Sequence, residues 1–253
     1  MKPKKFMSQS PALLEILTSQ GLGSKRECLS ALRFHEVRIG YHFNGEINWT
    51  EVKDPEMKPD LGGLQLHCGM WQLPYHKTLY LALNKPADVE CSRSPTSHAS
   101  VLDFFSEPFR RRGLQPVGRL DADATGLLLL SDDGDFNHII TSPKRKLPKT
   151  YRIGVRHHFS PEQQQSLEKG VILKDDSTPT APAKIRRLSD REIDITITEG
   201  RYHQVKRMLG AVGNRVESIH RIAIGELQLG DLSSGEWRYL TSGEVEGLRK
   251  VKA

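Results

Sequence analysis

The sequence predicts an α+β protein in which short strands outnumber helices and pair in a largely antiparallel sheet. Short apolar runs bounded by turn residues indicate buried strands, and runs that alternate between apolar and polar residues indicate half-exposed strands. Few segments have the spacing of an amphipathic helix. With 253 residues, the chain is long enough for one large domain and a small one.

Residues 8–50 are predicted to form the small domain. Apolar residues at helical spacing in 12–17 indicate a first helix, and Ser24 is placed to cap a second one. Alternation at 37–39 indicates a strand, and an Asn-Gly pair at 44–45 predicts a tight hairpin turn after it. The small domain is therefore expected to combine two helices with a hairpin.

The rest of the chain divides into a linker and a larger domain. Residues 51–74 contain Asp-Pro, Lys-Pro and Gly-Gly pairs, which predict a linker with at most short strands. Residues 75–253 are predicted to form the large domain. Its strands are predicted at 79–83, 126–131, 151–155 and 192–198, and its helices at 161–168, with Ser160 as the N-cap, and at 203–212.

Composition and charge favour a polyanionic partner in a reducing compartment. The net charge is +6, and the stretch from Ile139 to His158 holds six Lys or Arg residues and no acid. The three cysteines, Cys28, Cys68 and Cys91, are far apart, which indicates a reducing cytoplasm rather than a disulfide scaffold. No apolar run approaches the roughly 20 residues that a membrane helix needs. We expect a monomer.

The segment VGRLDADATGLLLLSDDGD, residues 117–135, places carboxylates against an apolar strand. In an extended chain, residues two apart point the same way, so Arg119 and Asp121 are expected to share a face. A carboxylate at the rim of an apolar floor is desolvated, yet a nearby cation keeps it ionised. Such a group suits a nucleophile or a base, whereas the alternative is an ion pair that only ties a loop.

The same segment partly fits a calcium-binding loop. Several positions of that template are occupied, by Asp121, Asp123, Thr125, Gly126 and Asp132. However, the last position favours glutamate, the leucines would carry the loop into a core, and no pair of amphipathic helices flanks it. We therefore expect no bound metal.

A second cationic group of residues occurs in EGRYHQVKRM. On the predicted helix, His203, Lys206 and Arg207 are three or four residues apart and lie opposite the apolar stripe. This face is suited to phosphates or to pairing with a carboxylate. Tyr151, which follows Lys149 in the basic stretch, could stack on a base or move a proton. The alternatives are a structural histidine and a core tyrosine.

Together these segments resemble the pseudouridine synthases of the RsuA type over nearly the whole chain. The resemblance lies in LALNKP, VGRLDADATGLLLLSDDG, TSPKRKLPKTY, EGRYHQVKRM, AVGNRV and IHRIAIG, which begin at Leu81, Val117, Thr141, Glu199, Ala211 and Ile219. It implies the pseudouridine-synthase fold, with a mixed sheet that is largely antiparallel. It also implies an isomerase that exchanges the N1–C1′ bond of a uridine in RNA for a C5–C1′ bond, without a cofactor or a metal.

The resemblance also implies roles for individual residues. Asp121 is then the essential aspartate, a nucleophile or an electrostatic stabiliser at C1′, and Tyr151 lies against the uracil and removes the C5 proton. Lys206 pairs with the aspartate, and Arg119 supports the extruded nucleotide. Further substrate contacts are expected in the matched motifs at Asn84, Lys85, Lys149, Arg201, His203, Gln204 and Arg207. The leucines after Gly126 are expected to floor the pocket and keep water from the detached base.

The N-terminal segment resembles the S4 RNA-binding domain. Lys25, Arg26 and Arg33 match its basic helix, and residues 37–47 match its hairpin. The resemblance implies that this domain binds RNA. In the first motif of the larger domain, Asp88 stands where the family has a glycine.

The expected substrate is a uridine of ribosomal RNA, with 16S rRNA or a small-subunit assembly intermediate as the partner. Two alternatives stay open. One is a non-catalytic RNA-binding assembly factor that retains the fold. The other is a nucleoside hydrolase that uses Asp121 and Asp123 as a carboxylate pair and releases free uracil. The basic stretches favour a polymer over a nucleoside.

Overall fold

The computed structural model describes residues 10–250, which form two compact units. The first unit contains the chain up to Lys77 together with Phe105–Leu114, and the second contains Thr78–Phe104 and the chain from Gln115 onward. Residues 8–9 of the predicted small domain and 251–253 of the predicted large domain lie outside the described residues. None of the helices in 10–250 is long and apolar enough to cross a membrane.

In the described part of the chain, the first unit is a four-stranded antiparallel sheet with three helices. Its helices are α1 (Leu13–Ser19), α2 (Lys25–Arg33) and α3 (Glu107–Arg111), and its strands are β1 (Val37–Phe43), β2 (Glu46–Glu51), β3 (Gln65–Cys68) and β4 (Trp71–Pro74), in the order β2-β1-β3-β4. Ser24 caps α2 as predicted, because its side chain accepts from the backbone N–H of Glu27. The predicted hairpin is confirmed as well, since Asn44 and Gly45 both have positive φ between β1 and β2.

The predicted linker at 51–74 is part of this sheet instead. Its second half forms β3, which pairs with β1, and β4, which pairs with β3. These strands form because Leu66 and Cys68 point into the core of the unit, where Leu66 is fully buried. The Asp-Pro, Lys-Pro and Gly-Gly pairs all precede β3, so they mark only the connection from β2.

The second unit is built on a nine-stranded mixed sheet. Its strands are β5 (Tyr80–Lys85), β6 (Val89–Glu90), β7 (Ala99–Ser100), β8 (Gln115–Val117), β9 (Thr125–Ser131), β10 (Lys149–Val155), β11 (Lys184–Arg187), β12 (Glu192–Ile197), β13 (Val216–Ile224), β14 (Leu227–Gln228) and β15 (Trp237–Tyr239), and its helices are α4 (Gly134–Thr141), α5 (Pro161–Lys169), α6 (Gln204–Ala211) and α7 (Ser242–Lys250). Nine of these eleven strands form the mixed sheet, whose main path runs β11-β12-β10-β13-β9-β5-β15, with β8 on β9 and β14 on β13, whereas β6 and β7 form a separate parallel pair. All pairs of the nine-stranded sheet are antiparallel except β9 with β13, which confirms the predicted fold class.

Strand β9 lies in the middle of this sheet, between β5 and β13. Its residues Leu127, Leu128, Leu129 and Leu130 are all fully buried, which explains why the strand is apolar on both faces. Gly126 has a φ of 100°, and a Cβ there would lie 2.3 Å from the backbone oxygen of Arg221. Only glycine therefore lets β9 approach β13 so closely.

The sequence locates some helix ends and misses others. Ser160 caps α5 with a full capping box, as predicted. Helix α4 was not predicted, and it begins where Asp133 accepts a hydrogen bond from the N–H of Phe136. The sequence Asp-Asp-Gly at 132–134 therefore starts a helix rather than only turning the chain. Helix α7 was not predicted either.

Lys85 lies at the end of β5 and is fully buried. Its ammonium group donates to the carbonyl oxygens of Pro86, Val89 and Ala122 at 2.8, 2.8 and 2.9 Å. Burial lowers the pKa of Lys85 from its usual value. The lysine is retained inside the fold because all three of its donors have acceptors.

We predict that Lys85→Met lowers the free energy of unfolding by about 3 kcal/mol, because the carbonyl groups of Pro86 and Val89 lose the ammonium donor and that of Ala122 keeps only the N–H of Asp88. Urea denaturation of the full chain measures the effect. The matched control is Lys184→Met on the exposed edge of the sheet, which is expected to change stability by less than about 0.5 kcal/mol. Equal stability of the two variants would contradict the structural role of Lys85.

Candidate active site

A cleft of about 970 Å³ opens in the second unit. Segments that are far apart in the sequence line it: residues of 88–98, the loop 117–124, parts of β10 and β13, and the segment 197–206. The two motifs that the sequence singled out, GRLDADATG and EGRYHQVKRM, therefore meet in one cleft.

Asp121 lies in this cleft beside the ammonium group of Lys206 and the imidazole ring of His203. Its carboxylate is 3.1 Å from Nζ of Lys206 and 3.4 Å from Nε2 of His203. The side chain of Asp121 is 31% exposed, so a ligand in the cleft can reach it. Arg119 is exposed at the wall of the same cleft, as expected for a residue on the face of Asp121, and the buried Leu120 between them lines the cleft as well.

Lys206 is shared between two carboxylates. Its ammonium group donates to both oxygens of Asp123, at 2.7 and 2.9 Å, as well as contacting Asp121. Burial by itself would lower the pKa of Lys206, but hydrogen bonds with Asp123 and Asp121 outweigh it and raise the pKa. The hydrogen bond from Lys206 also lowers the pKa of Asp123. The sequence predicted the pairing of Lys206 with Asp121 but not the part played by Asp123.

The loop that carries Asp121 is fixed by its backbone. The N–H of Ala124 donates to the carbonyl of Asp121 at 3.1 Å, which closes the predicted turn. The carbonyl of Ala122 accepts from Lys85 and from the N–H of Asp88, both at 2.9 Å. Asp88 has a φ of 58°, the left-handed conformation that a glycine adopts easily. The replacement of the family's glycine by Asp88 therefore leaves this turn intact.

The loop before α6 holds His203 in an unusual conformation. His203 has a φ of 47°, and the ring of Tyr202 stacks on its ring at 3.8 Å between centroids. Such a residue persists only where its surroundings fix it. Gln204 supplies that support, because it accepts from the N–H of Arg201 at 2.8 Å and donates to Glu199 at 2.7 Å. His203 is thereby held next to Asp121.

Three predicted substrate contacts on this segment, Arg201, Gln204 and Arg207, have hydrogen-bond partners within the protein. The guanidinium groups of Arg201 and Arg207 both pair with Asp176, at 3.0 and 3.1 Å. Arg201 also donates to the carbonyl oxygens of Thr178 and Pro179. Arg207 does not line the cleft, and its other donors bind backbone carbonyls. These contacts and those of the buried Gln204 support the loop; Arg201 and Gln204 also line the cleft, so they stay predicted substrate contacts.

Asn84 and Lys85 also differ from the prediction that they bind substrate. Both lie in β5, and neither lines the cleft. The side-chain amide of Asn84 donates to the carbonyl of Leu232, and Lys85 uses its donors on backbone carbonyls, as described above. These two polar side chains can be buried because the protein supplies acceptors for their hydrogen-bond donors.

One wall of the cleft is formed by side chains of β10 and β13. Lys149 and Tyr151 are two residues apart on β10, and Arg221 is the partner of Tyr151 on β13. The guanidinium carbon of Arg221 lies 5.9 Å from the centroid of the Tyr151 ring. The sequence did not single out Arg221, although a cation in the apolar alternation of IHRIAIG was a signal for a buried charge.

The apolar lining of the cleft differs from the predicted leucine floor. Residues 127–130 do not line it, because neighbouring strands and the core cover both of their faces. The apolar side chains that line the cleft come from other segments and are those of Val117, Leu120, Ile140, Leu147, Ile197, Val205, Ile219 and Ile224. The strand β9 therefore supports the cleft from within the sheet and places Asp121 at its rim.

Among residues 10–250 there is no group of three or more His, Cys, Asp or Glu side chains that could hold a metal ion. The residues of the calcium template have separate partners. Asp121 and Asp123 face Lys206, whereas Thr125 bonds with His220 and Asp132 accepts from the backbone of the chain at 79.

Comparison with known proteins agrees with this geometry. The family model described as RNA pseudouridylate synthase matches residues 79–211. Similar curated proteins include the ribosomal small subunit pseudouridine synthase A of Yersinia pestis, which is 37% identical over 97% of both chains. The protein of the same name from Pasteurella multocida is 42% identical over 68% of this chain and 74% of its own length.

A solved structure of a pseudouridylate synthase is also similar. It covers 94% of this chain and 100% of its own, with a TM-score of 0.65 and 35% sequence identity. The matched family region contains Asp121, Tyr151 and Lys206, which the fold brings into one cleft. The chain therefore belongs to the RNA pseudouridylate synthase family.

Proposed function

We propose that the protein isomerises one uridine of 16S rRNA, either in the free RNA or in a small-subunit assembly intermediate. The names of the relatives from Yersinia pestis and Pasteurella multocida support this substrate. The observation that carries the proposal is the carboxylate of Asp121, held by Lys206 inside a cleft whose wall carries Tyr151.

Asp121 acts at the sugar of the target uridine. The nucleotide must leave its stack before C1′ can reach the carboxylate, which costs a few kcal/mol. The exposed Arg119 at the cleft wall is placed to support the extruded nucleotide. Once the nucleotide is in the cleft, Asp121 bonds to C1′ or stabilises the positive charge on C1′ while the base is released and turned. Until then, the contacts with Lys206 and His203 hold the carboxylate in place at the cleft.

Tyr151 acts on the base. Its side chain is 8% exposed and lines the same cleft as Asp121, so a uracil ring that enters the cleft can lie against it. After C5 has bonded to C1′, the proton on C5 must be removed to restore the ring. Tyr151 takes up that proton, directly or through water.

The structure argues against a nucleoside hydrolase that uses Asp121 and Asp123 as an acid and a base. Such a pair needs one carboxyl group that stays protonated. Lys206 contacts both carboxylates and lowers the pKa of Asp123, so Asp123 does not donate a proton near neutral pH. A non-catalytic assembly factor would have no need for this ion pair, and we therefore favour the isomerase.

RNA contacts are expected outside the cleft as well. Lys144, Lys146 and Arg156 of the basic stretch are exposed and suited to phosphates, whereas Arg152 pairs with the buried Asp194. In the first unit, the exposed basic residues of α2 provide an S4-like RNA-binding surface, with Lys25, Arg26 and Arg33. The three free, buried cysteines support a role in the cytoplasm, and we expect a monomer.

We predict that the protein releases tritium from 16S rRNA labelled with [5-³H]uridine, and that Asp121→Asn slows this release at least about 1,000-fold, because the group that acts on C1′ is lost. Asp121→Ala is measured in parallel, since it cannot revert by deamidation. The matched control is Asp135→Asn on the exposed start of α4, which is expected to retain activity.

Release that survives both substitutions at position 121 would contradict the assignment of Asp121. Release from 23S rRNA but not from 16S rRNA would contradict the proposed substrate and leave the assignment of Asp121 untouched. Free uracil as a product would identify a hydrolase.

We also predict that the double variant Lys25→Ala, Arg26→Ala weakens binding to 16S rRNA and lowers the slope of log Kd against log salt by roughly 1 to 2, because two phosphate contacts are lost. Filter binding at several salt concentrations measures both effects. The control with the same change of charge is Arg38→Ala, Lys53→Ala, also exposed in the first unit. Equal effects of the two double variants would contradict an RNA-binding surface on α2.

A further inference from the structure

The wall formed by Lys149, Tyr151 and Arg221 carries two positive charges beside one aromatic ring. The pairing of β10 with β13 contains an irregularity next to Tyr151, which places Arg221 directly opposite it. Lys149 lies on the same strand two residues earlier, and all three side chains line the cleft. The strand register itself therefore assembles this wall.

Arg221 is buried without using all of its donors. It is 2% exposed, and its Nε donates to the carbonyl of Leu127 at 2.7 Å. Its Nη2 atom is enclosed and has no hydrogen-bond partner in the described part of the chain. A buried guanidinium donor without an acceptor costs free energy, so its presence at a cleft indicates an acceptor that arrives with the substrate.

Lys149 is a second cation without a counter-ion. Its Nζ donates to the carbonyl of Leu147 at 3.3 Å, and within residues 10–250 neither Lys149 nor Arg221 forms an ion pair. Burial and the neighbouring charge of Arg221 lower the pKa of Lys149 to about 8. This side of the cleft thus differs from the other side, where Asp121 and Asp123 neutralise Lys206.

The reaction creates a negative charge that these cations can meet. When the N1–C1′ bond breaks, its electron pair stays with the base, and the charge spreads over N1 and the two carbonyl oxygens. Asp121 bonds to C1′ or stabilises its positive charge, and the base turns. When C5 bonds to C1′, any bond between C1′ and Asp121 breaks and the carboxylate is regenerated. The C5 proton is then removed and N1 gains a proton, so the product has the same atoms as the substrate.

We propose that Lys149 and Arg221 stabilise the uracil anion that exists between the breaking of the N1–C1′ bond and the formation of the C5–C1′ bond. The proposal rests on the isomerase function above. A base fits this wall better than a phosphate, because the ring of Tyr151 lines the cleft beside Lys149 and Arg221 and gives a flat ring a face on which to lie.

Single-turnover rates and RNA affinity distinguish this role from a contact in the ground state. Because the anion forms only after the bond breaks, Lys149→Met is expected to slow isomerisation on the order of 100-fold, while the Kd for the RNA changes little. Lys149→Arg keeps the charge and is expected to recover most of the rate. Lys184→Met, on an exposed lysine outside the cleft and the basic stretch, serves as the control.

A target RNA with 5-fluorouridine separates charge stabilisation from a structural role. Fluorine withdraws electrons and stabilises the base anion by itself, so Lys149→Met should slow consumption of the fluorinated nucleotide much less than that of uridine. Consumption is followed by nuclease digestion and mass spectrometry. Arg221→Lys is tested in the same way, after a thermal melt has shown that it folds.

Equal slowing of both substrates would overturn the proposal, and so would weaker RNA binding with an unchanged single-turnover rate. If the wild-type protein isomerises no uridine, the proposed function fails instead. An active wild type whose rate matches that of Lys149→Met would refute only the inference about this wall.

Discussion

The ion pair between Lys206 and the carboxylates of the 121–124 loop is the interaction on which the site depends. Asp123 takes two hydrogen bonds from the ammonium group, and Asp121 lies 3.1 Å from the same nitrogen. Because Asp123 has the shorter contacts, Asp121 is neutralised without losing its access to the cleft. The same contact joins α6 to the end of the loop before β9, which lie more than eighty residues apart in the chain. One lysine therefore both assembles the site and sets its charge.

Several polar residues of the surrounding fold hold the segments that carry that ion pair in place. Lys85 fixes the 121–124 loop by a hydrogen bond to the carbonyl of Ala122. Gln204 fixes the strained turn at His203 by accepting a hydrogen bond from the backbone before it. The salt-bridge network at Asp176 anchors the start of α6. Buried and fully bonded groups of this kind restrict motion, so the carboxylate is already oriented before RNA binds. The few side chains that remain for the substrate lie around the cleft, on β10, β13 and the loop of Asp121.

Local signals made much of this structure predictable. The caps at Ser24 and Ser160, the Asn-Gly hairpin and the apolar run of β9 depend on neighbouring residues, and each was predicted correctly. The burial of Lys85 was not predictable, because its three acceptors come together only in the tertiary structure. The same holds for the partners of Arg201 and Arg207, and for Arg221, whose place opposite Tyr151 depends on the strand register. The sequence motifs therefore identified where the site lies. They did not distinguish the residues that face the cleft from the residues that support the cleft from behind.

The most direct measurement is a crystal structure of the Asp121→Asn variant bound to an RNA fragment that contains the target uridine. The substitution keeps the shape of the side chain while it prevents conversion of the substrate. We expect the uridine to be extruded into the cleft, with C1′ in van der Waals contact with the side chain at position 121 and the uracil against Tyr151. A target nucleotide that remains stacked in the RNA, or one whose C1′ lies far from position 121, would contradict the role of Asp121 at the sugar.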